Sequence, residues 1–506
     1  MTFLEALEGV ETLSQSGNPE IAGVEYDSRR VRPGQVFVAM RGETTDGNRY
    51  VEAAIAAGAA AVVTDSAEQK SRPGLGWARV VHGRRALARL SANFLGHPER
   101  KMSLTGITGT NGKTTASFVM ESMLAAAGRA SALVGTVEYH VAGKTLPAPH
   151  TTPEPLELNQ LLAEAAHSGA REAVMEVSSH ALAQERVFGL PFDVAVFTNL
   201  TRDHLDYHHD MENYFQAKQR LFEGCGAAPP RVAVINLQDE YGARLLPASQ
   251  ARGSQVLTYG LGRGDFSAER LELGAHGLRF ELRTPAGPVS IESPLLGRVN
   301  VYNLLAAAAA AQARGCSMEA IAAGAGRLRR VPGRFESVEC GQEFTVIVDY
   351  AHTDDALRNL TALARESLSG KRGRVITVFG CGGNRDRSKR PLMGEAAGRG
   401  SDFVVLTSDN PRSEDPAAIL RDALPGLGAT GTRHVVEPDR RQAIALAVSE
   451  AKAGDIVLIA GKGHEKVQVT SQGPVAFDDV EVARQALRQA GYTANVGAVP
   501  ASRSKS

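Results

Sequence analysis

The sequence predicts an α/β protein of three domains, built on parallel sheets covered by helices. Three observations lead there. The chain has 506 residues, and domains typically run to about 100–200. Short apolar runs alternate with helical stretches along most of the chain, as strand–helix units do. A glycine-rich turn at residues 109–112 sits between one such run and a helix, where a phosphate loop belongs. The reading is a small α/β N-terminal domain at residues 1–98, a central P-loop parallel-sheet ATPase domain at 99–331 and a Rossmann-like C-terminal domain at 332–493. A small, polar, mobile tail is expected at 494–506.

The elements follow in order. Residues 36–39 and 60–63 read as strands, and 50–57 and 84–94 as helices, before His97-Pro98 breaks the pattern. In the middle third, strands are expected at 103–108, 132–134, 173–177, 194–197 and 232–235, with a helix at 113–127. Residues 266–292 depart from this alternation and read as antiparallel strands with Gly and Pro turns. An Ala-rich helix at 301–313 and a second helix lead to Val331-Pro332-Gly333, the second boundary. The last third alternates again, with buried-strand candidates at 345–348, 375–379, 403–406 and 456–460.

Composition narrows the function. Hydrophobic residues are 43% and charged residues 22% of the chain, ordinary for a folded globular protein. Lys plus Arg and Asp plus Glu are both 56, and this balance argues against a general nucleic-acid binder, which needs a basic footprint. Cys225, Cys316, Cys340 and Cys381 form no C-x-x-C pair, so no zinc site or disulfide framework is expected and a reducing cytoplasm fits. Cys381 reads as a packed small residue. The first residues lack a signal-peptide pattern, and the longest apolar run, 304–311, is too short to span a bilayer. A cytoplasmic monomer is the expectation.

Four groups of residues carry chemistry. In Gly109-Thr110-Asn111-Gly112-Lys113-Thr114-Thr115 small residues let backbone N–H groups face phosphate oxygens at a helix N-terminus. Lys113 supplies charge to the β/γ-phosphates of ATP and Thr114 a hydroxyl for Mg²⁺. Ile107 stands where strict Walker spacing has Gly, so the motif is a variant. Glu176, in Met175-Glu176-Val177-Ser178-Ser179-His180, ends an apolar strand beside that loop and is placed to hold Mg²⁺. Thr198-Asn199-Leu200-Thr201-Arg202-Asp203-His204-Leu205-Asp206 also follows a strand and precedes a helix with Lys218, which makes a second metal site a candidate. In the last third, Asp349-Tyr350-Ala351-His352, 380–386, Ser408-Asp409-Asn410-Pro411-Arg412 and Gly461-Lys462-Gly463-His464-Glu465 all follow expected strands. Parallel strands gather such segments at one carboxyl edge, where open α/β sheets bind ligands.

Together these motifs, with Tyr302-Asn303 and Gly333-Arg334-Phe335-Glu336, resemble the Mur ligase family, the ATP-dependent amide-forming enzymes of bacterial cell-wall synthesis. The resemblance runs from about Asp27 to Glu465. Asp27-Ser28-Arg29 and Asp409-Asn410-Pro411-Arg412 point to the branch that adds the third stem-peptide residue to UDP-N-acetylmuramoyl-L-alanyl-D-glutamate, and disfavour other branches and folylpolyglutamate synthase. A P-loop regulatory or motor ATPase would share the nucleotide loop but would not need the 461–465 segment.

The resemblance implies an acyl-phosphate intermediate on the substrate carboxylate, attacked by the incoming amine. It implies that Lys113 and the loop hold ATP, that Thr114 and Glu176 hold one Mg²⁺, and that a carbamylated Lys218 with His204 holds a second. Asn303, Arg334 and Asp349 are implied nucleotide contacts. Ser28 and Glu43-Thr44-Thr45 are implied for the nucleotide sugar, and Thr151, Thr152, Ser178, Gln184 and Arg186 for its muramoyl-peptide end. The acceptor is expected to be meso-2,6-diaminopimelate rather than L-lysine, because Arg412 can grip a carboxylate with two hydrogen bonds. Arg385, Asp409, Asn410, Pro411, Gly461 and Glu465 complete that implied set, with Gly461 and Glu465 taking the distal amine.

Overall fold

Residues 1–42, 45–274, 277–368 and 372–492 are described by a computed structural model. The expected mobile tail, Glu43 and Thr44 lie outside the described residues.

Among the described residues the chain forms three large sheets in sequence order and one small hairpin. The first sheet has five strands, in the order Thr12–Ser16, Gly76–Val80, Ala61–Thr64, Gln35–Ala39, Gly23–Glu25. All pairs are parallel except the first. The helix Gly83–Phe94 covers one face through Ala86, Leu87 and Leu90.

The second sheet has eleven strands among the described residues. Its parallel centre runs Gln255–Leu261, Val232–Asn236, Phe192–Phe197, Ser103–Thr108, Glu172–Glu176, Ser131–Val134. Side chains alternate across it: Ile107, Val174 and Val196 enter one core, Leu104, Ala173 and Phe197 the other. Burial on both faces is why these strands read as unbroken apolar runs. The Ala-rich helix, Arg298–Ala313, has Ala306–Ala311 wholly buried, since small side chains let it pack closely on the sheet.

The departure at 266–292 is antiparallel, as expected, but it is no separate unit. Phe266–Gly274 pairs parallel with Gln255–Leu261, so the hairpins Gly277–Thr284 and Gly287–Ser293 extend the same sheet. Glu138–Val141 and Lys144–Pro147 extend its other edge, and sequence periodicity had not marked them.

The third sheet has six strands among the described residues, ordered Glu336–Ser337, Thr345–Asp349, Ile456–Ala460, Val375–Cys381, Phe403–Ser408, Arg433–Val436, and all but the first pair are parallel. Val346, Val378 and Val457 fill one side, Ile347, Phe379 and Leu458 the other. Cys381 is buried with its thiol pushed up to about 12 by desolvation, so it is a packing residue. All four cysteines are free and buried. No helix among the described residues is long and apolar enough to cross a membrane.

Candidate active site

The register of the second sheet assembles the first half of the site. Glu176 lies level with Ile107, and Phe197 with Thr108. Three carboxyl ends therefore meet, and Gly109, Ser178 and Thr198 start from neighbouring points. A Cβ on Gly109, at φ 145°, would collide with the Thr198 hydroxyl, so glycine is required at this turn although Ile107 occupies the strict Walker position. The loop is braced from behind. Thr110 N donates to Asn199 O at 2.8 Å, Asn111 N to Asn199 Oδ1 at 2.9 Å, and Thr198 Oγ1 to Asn111 O at 2.7 Å. Gly112 caps the helix Lys113–Ala126, and Thr115 lines the adjoining cavity.

Two lysines approach this loop. Lys113 Nζ donates to Gly109 O and Thr110 O, both at 2.9 Å. Lys218 Nζ donates to Gly109 O at 2.8 Å and lies 4.5 Å from the Tyr214 ring centre. Burial, then the Lys113 charge, holds the Lys218 amine well below its ordinary value and favours the neutral form. His204 adopts a left-handed backbone, with Nε2 3.3 Å from Asp203 and its ring 4.7 Å from that of His180. Burial pushes His204 down to about 3.

Glu176 is fully buried and accepts from Thr114 Oγ1 at 3.0 Å, Thr136 N at 2.7 Å and Thr136 Oγ1 at 2.9 Å. These hard oxygens suit Mg²⁺. Among the described residues no three His, Cys, Asp or Glu side chains converge as a ready metal cluster.

The linker between the second and third sheets brings Arg334 across. Its Nη2 donates to Thr114 Oγ1 at 3.1 Å and its guanidinium packs 4.7 Å from the Tyr350 ring centre. Arg334 Nε is buried with no hydrogen-bond partner among the described residues, a donor suited to an anion. Gly333, at φ 65°, makes this crossing possible: a Cβ there would stand 2.6 Å from the Gly463 carbonyl carbon and strike His464 N. Asp349 accepts from Phe335 N at 2.7 Å and Ala351 N at 2.8 Å, so its carboxylate holds the linker turn. A cavity of about 380 Å³ opens beside the loop, lined by Asn111, Asn199, Tyr302, Asn303, Arg334 and Asp355 among others. Asn303 Nδ2 donates to Asn300 at 2.9 Å.

A second group of expected residues also meets. Thr152 Oγ1 donates to Glu176 O at 2.8 Å and accepts from Ser178 N at 3.1 Å. Thr151 Oγ1 lies 3.1 Å from Thr136 Oγ1. Arg186 donates to Thr152 O at 2.9 Å and to Gln184 Oε1 at 2.7 Å. Ser28 lies in the N-terminal turn whose neighbours Tyr26 and Arg30 reach Glu157, at 3.0 and 3.4 Å.

The third sheet supplies the remaining half. Asp349 is level with Ala460, and Cys381 with Ser408, so the four C-terminal segments share one carboxyl edge as expected. Arg412, at φ 55°, donates to Gly383 O at 2.8 Å. Neither Arg412 nor Arg385 has a carboxylate within 4 Å among the described residues. Burial, then Arg385, lowers the pKa of Arg412. Two adjacent guanidiniums with no carboxylate partner among the described residues are suited to bind one. Asp409 and Asn410 are buried and Pro411 shapes the turn, whose carbonyl accepts from Glu414 N at 3.1 Å. Asn410 Nδ2 donates to Glu465 at 2.8 Å, and Gly461 N donates to Asp349 O at 3.0 Å.

Sequence reasoning missed three residues here. Arg390, fully buried, joins Gly382 O to Glu414 and Asp422. Arg440, also fully buried, pairs with Asp479 and donates to Ala460 O at 3.0 Å. Lys462 lay inside a recognised motif but was passed over between its two glycines; it is fully buried.

A phosphate loop, a linker arginine reaching into it and a second parallel sheet whose carboxyl edge carries Arg385 and Arg412 define a nucleotide-dependent ligase of three domains. The chain belongs to the Mur ligase family. Residues 20–95 match the family's "Mur ligase family, catalytic domain", 107–311 its "Mur ligase middle domain" and 333–463 its "Mur ligase, glutamate ligase domain". Among its relatives is the UDP-N-acetylmuramoyl-L-alanyl-D-glutamate--2,6-diaminopimelate ligase of Solibacter usitatus, 53% identical over 94% of both chains. The protein of the same name in Geobacter metallireducens is 46% identical, over 96% of this chain and 98% of the relative. A solved structure of a ligase with that name is 35% identical, covers 97% of this chain and 100% of the other, and superposes with a TM-score of 0.66.

Proposed function

We propose that this protein uses ATP to join meso-diaminopimelate to UDP-N-acetylmuramoyl-L-alanyl-D-glutamate, a step of peptidoglycan synthesis. The observation that carries the reading is Arg334, whose linker ties the phosphate-loop edge of one sheet to the acceptor edge of another.

The substrate's terminal carboxylate attacks the γ-phosphorus, ADP leaves, and an acyl phosphate remains. The acceptor amine then attacks the acyl carbon, and the tetrahedral adduct expels phosphate. Little covalent chemistry falls to the protein, so positioning and charge neutralisation dominate. Backbone N–H groups at residues 112–115, where the helix begins, and Lys113 hold the phosphates, and Arg334, whose buried Nε has no hydrogen-bond partner among the described residues, adds a cation beside them. Asn303 and Asp349 border the nucleotide cavity. Mg²⁺ held by Thr114 and Glu176 would neutralise phosphate charge. Lys218, buried with its amine held well below the ordinary pKa, is the candidate for reaction with carbon dioxide; the resulting carbamate, with His204, would offer oxygen and nitrogen to a second Mg²⁺. Ser28 contacts the nucleotide sugar, and Thr151, Thr152, Ser178, Gln184 and Arg186 hold the peptide end. Arg385 and Arg412 take the distal carboxylate of diaminopimelate, and Gly461 and Glu465 its distal amine. A pocket built to bond that carboxylate rejects L-lysine by a large factor, about 10⁴ or more.

The test is phosphate release with ATP and the nucleotide dipeptide across a panel of amino acids. Release with diaminopimelate alone supports the reading. Equal use of L-lysine or L-ornithine defeats the acceptor assignment, and release that needs no amino acid defeats the ligase assignment.

A further inference from the structure

Resting on that reading of the acceptor pocket, we propose that Lys462 is a positioning residue: its buried ammonium orients Glu465 and Asn410 and thereby sets recognition of the acceptor's distal amine. Lys462 follows the strand Ile456–Ala460, and its side chain is fully buried although the segment borders the pocket. Its Nζ donates to Asn410 Oδ1 at 2.9 Å and to Glu465 Oε2 at 3.2 Å, and Asp409 Oδ1 lies 3.7 Å away. Among the described residues, its hydrogen-bond and ion-pair partners all belong to the acceptor segments.

The arrangement fixes Asn410 in one sense. Its Oδ1 accepts from both Lys462 Nζ and Val469 N, the latter at 2.8 Å, while its Nδ2 donates to Glu465 Oε2 at 2.8 Å. Turning the amide over would set NH₂ against an ammonium and a backbone N–H. Glu465 is therefore gripped twice through the same oxygen, Oε2, and its Oε1 has no hydrogen-bond partner among the described residues. The Glu465 side chain is 29% exposed, so without that grip it would be free to turn toward water. Held as it is, Oε1 is the oxygen left for a ligand.

Charge supports the same role. Asp409 and Glu465 bring two negative charges and Lys462 one positive. Lys462 offsets part of that negative charge and leaves Glu465 Oε1 for an incoming ammonium. Without Lys462, buried Asp409 and the partly exposed Glu465 would lose the cation they share, and Glu465 would accept an amine in more than one geometry.

The test is steady-state kinetics of Lys462→Met, Glu465→Gln and the double variant, with KM measured for diaminopimelate, ATP and the nucleotide dipeptide. We expect Lys462→Met to raise KM for diaminopimelate at least tenfold and leave the other two within about twofold. Because Lys462 acts through Glu465, the double variant should be no worse than about twofold beyond the weaker single. Effects that multiply, an unchanged diaminopimelate KM in Lys462→Met, or a common rise for all three substrates would each overturn the proposal. An unchanged KM in Glu465→Gln would overturn the pocket reading and the proposal with it, whereas an effect in Glu465→Gln alone would overturn only the proposal. Should Lys462→Met not fold, Lys462→Gln, which keeps an N–H toward Asn410, is measured with the same outcomes; failure of both to fold would assign Lys462 to stability and overturn the proposal.

Discussion

Asn111 of the phosphate loop donates its side-chain amide to Asp355 at 2.9 Å, so the nucleotide loop is hydrogen-bonded directly to the first turn of a C-terminal-domain helix. Thr201 reaches the same carboxylate oxygen at 3.4 Å. Nearby, Asp203 lies 3.6 Å from Lys389 Nζ and 3.8 Å from His352 Nε2, both from the C-terminal domain. The two sheets are thus joined by polar groups around the place where an acyl phosphate would form. Contacts of this kind, kept during turnover, would exclude water from such an intermediate.

Lys113→Ala should lower ligase turnover by about 10³-fold or more, because the β/γ-phosphate charge loses its counter-ion. The helix that Lys113 begins buries Val119, Met123 and Leu124, so circular dichroism and melting should stay near wild type. Near-normal turnover at saturating ATP would remove the phosphate-loop assignment.

Lys218→Ala should be nearly inactive and partly rescued by a short-chain carboxylic acid, which replaces the missing anionic oxygens. Labelled bicarbonate should give a carbamate carbonyl signal in active wild-type enzyme at mildly alkaline pH. The absence of that signal counts against the modification.

Arg412→Ala should raise KM for diaminopimelate steeply, by about 10²-fold given that charge-assisted hydrogen bonds contribute about 1.5–3 kcal/mol each. KM for ATP should barely move, since Arg412 lies on the acceptor edge. Parallel changes in both constants would place Arg412 elsewhere in the mechanism.

Arg440→Met should destabilise the C-terminal domain by about 3–5 kcal/mol, the usual effect of stranding one member of a buried ion pair. Both side chains of the Arg440–Asp479 pair are 0% exposed. Denaturant unfolding of the variant checks this, and Arg440→Met with Asp479→Asn should recover part of the loss. An unfolding midpoint equal to wild type would show that the pair contributes nothing net.

His140 sits between Glu121, at 2.8 Å, and Glu138, at 3.0 Å, which raise its pKa to about 9, chiefly through the Glu121 hydrogen bond. Folded His140 therefore keeps a proton that the unfolded chain loses near 6.5. Its contribution is complete below pH 6.5 and disappears as pH rises through about 9, up to about 3 kcal/mol in all. Wild-type stability should decline across that window more steeply than that of His140→Gln. Equal slopes would mean the two carboxylates do not hold the proton.

Much of the site was legible because its residues are consecutive and follow strands. Gly109 to Thr115, Glu176 and Asp409 to Arg412 needed only a parallel sheet to bring them to an edge. The buried cations were not legible, because a buried arginine depends on partners far along the chain. Arg440 needs Asp479, 39 residues away, and Arg390 needs Asp422, 32 residues away. The strands Glu138–Val141 and Lys144–Pro147 escaped because each has four residues and the two form a short antiparallel hairpin at the end of the sheet, where pairing rather than an apolar run makes the strand. The second-metal expectation at His204 and Lys218 depended on a modified side chain, which neither spacing nor periodicity records.

The contact between Gly333 and the Gly463-His464 backbone has a consequence for building hybrid enzymes. The linker that brings Arg334 to Thr114 rests against the turn that carries Lys462 and Glu465. A crossover placed after residue 333 would take that turn from one parent and its seat from another. Any side chain introduced at 333 would push the two apart. Hybrids meant to change the acceptor should therefore inherit the linker and the turn from the same parent, with the junction upstream of Val331.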